Sequence, residues 1–193
     1  MANSNAPAGL RPVRHANGSP WNGMLRRYYV PATDANALYI GDPIILAGSA
    51  DADGVPTATI ATAAGGNRVT GAVVGFEPSP TIISNGYRAA STAEYIYVAE
   101  GPDLVYEIQE DAVGGALAAT DVGLNADLVS GSGSRITGSG WQLDTSTKAT
   151  TATLQLRILG FVQRPDNAIG ANAKVLVRIN LPTETGAAGS TGV

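Results

Sequence analysis

The apolar positions of this chain gather in short β-branched runs closed by glycine and proline, and one such run occurs twice. Residues 69–78 read V-T-G-A-V-V-G-F-E-P, and residues 154–165 read L-Q-L-R-I-L-G-F-V-Q-R-P. Each ends in Gly-Phe, and Phe76 and Phe161 are the two phenylalanines of the chain. Runs rich in Val and Ile fit strands with at least one face in a core, and a following proline cannot continue a central ladder. These two phrases are expected to be inner strands. The clearest alternation lies at 174–181, where Val175, Val177, Ile179 and Leu181 interleave with Lys174, Leu176, Arg178 and Asn180, the pattern of a half-buried strand.

Further strands are expected at 28–30, at 38–46 with a break at Gly41-Asp42-Pro43, and at 57–62. Residues 79–92 read as a polar loop with a tight turn at Asn85-Gly86. Glu94–Glu100 and Leu104–Glu110 flank Gly101-Pro102-Asp103 and predict a hairpin, with Leu104, Tyr106 and Ile108 buried and Val105, Glu107 and Gln109 wet. Residues 111–121 are rich in alanine, but Gly114-Gly115 limits any helix there to a turn or two.

The segments ahead of the two phrases echo one another as well: I-G-D-P-I-I-L-A-G at 40–48 and V-G-L-N-A-D-L-V-S-G at 122–131. Self-similarity of this kind is a sign of repeated structure. The expected fold is therefore all-β with little helix. Its body spans 28–182, as one unit or as two related halves at about 28–92 and 93–182. A Gly- and Ser-rich tail follows at 183–193.

Residues 1–27 differ from the rest. Pro7, Pro12 and Pro20 favour an extended arm without a core of its own. The arm nevertheless carries Leu10, Val13, Trp21, Met24 and Leu25. Charge is also uneven: no acid precedes Asp34, so Arg11, Arg14, Arg26 and Arg27 make that segment basic, while the remaining 8 Lys and Arg face all 16 Asp and Glu. A basic arm on an acidic body is expected to lie on an acidic surface such as a neighbouring copy. Leu10, Arg11, Arg14, Trp21, Met24, Arg26 and Arg27 are the expected partner-binding residues. Four arginines interrupted by Pro and Gly do not argue for nucleic acid.

Candidate chemistry is sparse. The chain has no cysteine and one histidine, His15, which gives no support to a thiolate metal site or a Ser-His or Cys-His nucleophile. Asp51-Ala52-Asp53-Gly54 begins like a calcium loop but lacks the later ligands. Residues 131–140 are glycine-rich but lack the Gly-Lys-Ser/Thr of a phosphate loop. Glu94, Glu100, Asp103, Glu107, Glu110 and Asp111 supply enough carboxylates for glycoside cleavage if two of them converge. Tyr87, Tyr95, Tyr97 and Trp141 could form an aromatic sugar platform. No cofactor is expected. The N-terminal residues lack the basic start and apolar run of a secretory signal, and no stretch has the apolar length of a membrane span.

Several stretches resemble the capsid cement, or decoration, proteins of tailed bacteriophages: P-A-G-L-R-P-V-R-H at 7–15, R-R-Y-Y-V-P at 26–31, D-V-G-L-N-A-D-L at 121–128, W-Q-L-D at 141–144, and the long terminal stretch at 154–180. The resemblance implies a non-enzymatic all-β protein, a jelly-roll-like β-sandwich or barrel with an extended N-terminal arm, on the outer surface of the virion shell and made in the host cytoplasm. It further implies partners in the major capsid protein and in other copies of the chain at a symmetry axis. The alternative from the residues alone is a receptor- or carbohydrate-binding β module of a phage tail or adhesin.

Overall fold

Alternation dictates the strands, and long-range pairing dictates their arrangement. A computed structural model describes residues 3–78, 86–184 and 189–193, so the turn expected at Asn85-Gly86 falls partly outside it. The described residues form an all-β protein whose one helical element is a 3-10 turn at Ala119–Asp121. Strands β2 (Arg26–Val30), β4 (Pro43–Ala50), β5 (Pro56–Ile60), β6 (Gly71–Phe76) and β8 (Glu94–Glu100) close a five-stranded barrel in the order β2-β5-β4-β6-β8. Strands β1 (Arg11–His15), β9 (Leu104–Gln109), β10 (Asn125–Val129), β11 (Gln142–Ala149), β12 (Leu156–Phe161) and β13 (Lys174–Ile179) form a sheet in the order β1-β9-β13-β12-β10-β11. The short pair β3 (Leu38–Tyr39) and β7 (Tyr87–Arg88) stands apart.

The two sheets repeat one plan. In the first, β4 pairs with β5 and β6, β6 with β8, and β8 with β2. In the second, β10 pairs with β11 and β12, β12 with β13, and β13 with β9. The registers correspond residue by residue. Gly71, Val73, Gly75 and Phe76 sit opposite Glu100, Val98, Tyr97 and Ile96, and Leu156, Ile158, Gly160 and Phe161 sit opposite Ile179, Val177, Leu176 and Val175. Both ladders slip by one residue just before the glycine of Gly-Phe, a β-bulge that bends each inner strand at the same place. A parallel contact closes the first barrel at Tyr29 and Thr57, and a parallel bridge between Glu110 and Leu143 curls the second sheet toward closure at the corresponding point.

Packing follows the same plan. Tyr28, Ile44, Val73, Phe76, Ile96 and Val98 fill the first barrel. Their register counterparts Ile108, Ala126, Ile158, Phe161, Val175 and Val177 belong to the second core. That second cluster also takes in Val69, Ala72 and Ala99 from the outside of the first barrel, so the halves share buried surface. The Tyr106 hydroxyl donates to the Ala99 carbonyl at 2.9 Å across this junction.

Three sequence expectations need correction. Gly101-Pro102-Asp103 does not make a hairpin, because β8 ladders with β6 and β2 while β9 ladders with β13 and β1; the turn links the two halves. The halves therefore divide at 101–103 and not at 92/93. On β9, Val105 and Gln109 are as buried as the inward side; Val105 lies between Arg14 and Arg178 on the neighbouring strands, and the Gln109 side chain donates to the Ser4 carbonyl and accepts from the Ala6 amide, both at 2.8 Å.

Candidate functional site

The arm is where partner contacts were expected, and its own body holds most of it. Arg11–His15 adds to the free edge of β9, with Arg11 opposite Glu107 and Arg14 opposite Val105. The chain then turns, so that Trp21 donates its amide to the Val13 carbonyl and Pro20 bridges Arg14. A proline-bearing segment thus covers the outer edge of β1, which blunts a strand edge that would otherwise invite pairing. Prolines kept the segment extended, and an extended segment is what an open sheet edge accepts. The arm has no core separate from the body: β1 joins the body's sheet and Leu10 enters the body's core.

The seven expected contact residues separate accordingly. Leu10 is 1% exposed inside the second core, so it is not available to a partner. Trp21 is half-buried against the same core. Arg26 and Arg27 begin β2. The Arg26 guanidinium meets Glu100 at 3.1 Å and Glu184 at 3.5 Å. Arg27 meets Glu77 at 2.7 Å and lies 3.6 Å from the Tyr95 ring centre. Hydrogen bonding to Glu100 and to Glu77 holds both guanidinium groups above their ordinary pKa. The acidic acceptor expected on a neighbour is therefore, for these two, the protein's own barrel. Arg11, Arg14 and Met24 remain exposed, and Met24 at 67% is accompanied by Leu25 at 39% and Val13 at 40%.

Five of the six expected carboxylates are engaged within the fold. Glu100 and Glu107 are engaged by Arg26 and Arg164, and Asp103 by His15 at 3.2 Å. Glu110 is fully buried at the top of the second core, where Ala112 and Ala173 donate their amides to it; burial raises its pKa despite those bonds. Asp111 accepts from the Thr145 hydroxyl at 2.9 Å. Among the described residues no three His, Cys, Asp or Glu side chains group as metal ligands, and no helix is long and apolar enough to cross a membrane.

Three of the four expected platform aromatics are engaged within the fold, and Tyr97 is half-buried on β8. Trp141 is 4% exposed, Tyr87 stacks on Tyr39 with ring centres 5.6 Å apart, and Tyr95 is held by Arg27, by Tyr29 at 5.1 Å and by its own bond to Asp51 at 2.6 Å.

Sequence reasoning missed the other members of the basic surface that Arg11 and Arg14 join. The β13–β12 register sets Arg178 directly opposite Arg157, and Lys174 lies on the same outward side of β13. A crevice of about 230 Å³ opens between Arg11 and Lys174, bordered by Glu107 and Gln109. The sole advance signal was the cationic polar positions in the alternation at 174–181. Comparison with protein-family models, with curated proteins and with solved structures finds no match to this chain.

Proposed function

We propose that the chain is a non-enzymatic cement protein of a bacteriophage capsid, binding the outer surface of the assembled shell and bridging major capsid protein subunits. Copies of the chain would meet at a symmetry axis of that shell. The observation that carries this reading is the strip Val13, Met24 and Leu25, exposed at 40, 67 and 39% on a segment fixed at one end by β1 and at the other by β2. Exposed apolar side chains on a segment anchored at both ends are suited to docking, since anchoring lowers the ordering cost of binding. The resemblance of residues 7–15, 26–31 and 154–180 to cement proteins points the same way.

The mechanism needs no chemistry. A protein that binds only the assembled lattice stabilises it by mass action, and modest affinity at each of many sites accumulates. The arm contributes here as a structured surface that includes Met24, not as a loose strand seeking a partner.

The test is sedimentation of the purified chain with undecorated mature shells of the phage that encodes it, beside Met24→Asp and Leu25→Asp variants. The wild type is expected to co-sediment with shells and not with unassembled capsid subunits, and each variant to lose at least tenfold in affinity while keeping its thermal transition. Undiminished binding by both variants, or binding of the wild type to a glycan array in place of shells, would overturn the reading.

A further inference from the structure

Beyond the apolar strip, we infer that the outward face of β1, β9, β13 and β12 is a docking surface for an acidic protein, centred on Arg157 and Arg178. Arg11, Arg14, Arg157, Lys174 and Arg178 have no carboxylate within ion-pair distance among the described residues, whereas Arg26, Arg27, Lys148 and Arg164 each have one. All five occupy outward strand positions of a single sheet. Arg14, Val105, Arg178 and Arg157 form one cross-strand row, and Arg11, Glu107 and Leu176 form the next. The one carboxylate at these positions, Glu107, is taken in a two-point contact by Arg164 at 2.9 and 3.0 Å. On a chain of net charge −4, such a concentration of uncompensated cations is a directional feature.

Like charges set directly opposite on neighbouring strands destabilise a sheet. Arg157 and Arg178 bear that cost with no local return. Their counterparts in the first barrel are Ala72 and Ala99, which also pair with each other and are buried against the second half. The same face of the repeated plan therefore serves as an interface in the first half and carries the half-buried Arg157 and Arg178 in the second.

The occupant is an acidic protein surface other than a second copy of this chain. Most of the chain's own acids are occupied within the fold: Glu77, Glu100, Asp103, Glu107, Asp121, Asp166 and Glu184 each meet an Arg, Lys or His side chain, and Asp42, Glu94, Glu110 and Asp127 are buried. The crevice between Arg11 and Lys174 admits a single carboxylate side chain from such a partner. Planar, multi-donor guanidinium groups suit carboxylates that approach in pairs.

The assignment rests on the shell reading for where that acidic surface belongs, and the experiment separates the two. Binding of the full chain to poly-L-glutamate and to a short DNA duplex is measured in low salt, with Arg157→Ser/Arg178→Ser and with Lys148→Ser on β11 as a control. The double variant is expected to lose about tenfold in polyglutamate affinity, the control less than twofold, and the duplex is expected to bind no tighter than polyglutamate. An unchanged double variant, or a duplex bound tenfold more tightly than polyglutamate, overturns the proposal. Shell uptake is then read with the same proteins. Loss of polyglutamate binding in the double variant without any uptake of the wild type by shells keeps the face and sinks the shell reading; uptake indifferent to the double substitution sinks the face alone.

Discussion

The Leu10 amide donates to the Gly41 carbonyl at 2.9 Å, and at the corresponding point of the second half Val193 donates to the Gly123 carbonyl at 3.1 Å. Gly41 and Gly123 also make the same donation, to Val73 and Ile158 on the two inner strands, at 2.8 and 2.9 Å. Each half thus has a notch at a glycine with φ near +95°, and each notch receives one end of the chain.

The two notches should differ in tolerance. A methyl at Gly41 would sit 2.1 Å from the Ala8 carbonyl oxygen, a backbone atom next to the buried Gly9 and Leu10; at Gly123 it would meet the side chain of Val193, which is 82% exposed and has room to shift. Both sites carry a left-handed cost of about 1–2 kcal/mol for alanine. Gly41→Ala is expected to cost about 3 kcal/mol or more and Gly123→Ala about 1–2 kcal/mol, as read from urea midpoints. Equal losses would mean that the tail is held as firmly as the arm.

Arg88 is fully buried, and its guanidinium donates to four carbonyls, those of Pro31, Asp34, Asn36 and Thr92, with an Asp34 carboxylate oxygen 4.0 Å away. It knits the loop after β2 to the segment before β8, so one side chain satisfies the backbone at that end of the barrel. Arg88→Met should leave those acceptors unpaired and cost about 3–5 kcal/mol. Arg88→Lys should recover little, because an ammonium cannot reach four separated carbonyls in one plane. A lysine variant with wild-type thermal stability would show that charge alone suffices.

How much of this was legible beforehand depended on whether a feature is local or made by pairing. The Gly-Phe bulges, the echo of Ile40-Gly41 in Val122-Gly123 and the alternation at 174–179 are local, and they anticipated the repeat. Gly101-Pro102-Asp103 has the same turn chemistry whether its flanking strands pair or part, so the hairpin was misread. The fate of Leu10 was hidden for a related reason, since its partners in the second core lie far along the sequence. Arg11 and Arg14 stood out through charge asymmetry, but Arg157 and Arg178 become neighbours only through the β12–β13 register.

Acid should act on the protein through Glu110. Burial raises its pKa in the folded state above the unfolded value, so the folded protein binds that proton more tightly. Its stabilising contribution is then fully present below the unfolded pKa and is lost as pH rises through the folded one. Glu110→Gln cannot ionise, and its one amide oxygen replaces one of the two acceptors that Glu110 offers to the Ala112 and Ala173 amides, a cost that does not vary with pH. Relative to this variant, the wild type is expected to gain stability as pH falls from 7 toward 4. A stability difference that stays flat over that range, measured by denaturant titration, would count against a buried titrating group.

Gln155 offers the sharpest test of how the halves are joined. Its counterpart in the first half is Thr70, whose hydroxyl accepts from the Leu46 amide at 3.1 Å, as the Gln155 side-chain oxygen accepts from the Leu128 amide at 3.1 Å. The longer side chain does more: its amide nitrogen donates to the Thr62 and Asn67 carbonyls at 2.8 and 3.2 Å, and its oxygen also accepts from Ala64. Fully buried, it ties the β5–β6 loop of the first barrel to β12 of the second. Gln155→Thr should retain the bond that Thr70 makes in its own half and sever the rest, releasing the partly buried Thr62 and Asn67 carbonyls at a cost of about 1–2 kcal/mol. Because the halves share core residues, the loss is expected to appear as one lowered transition by calorimetry. Two separated transitions in the variant would show that this clasp, and not the Ala72, Ala99 and Tyr106 contact, couples the halves.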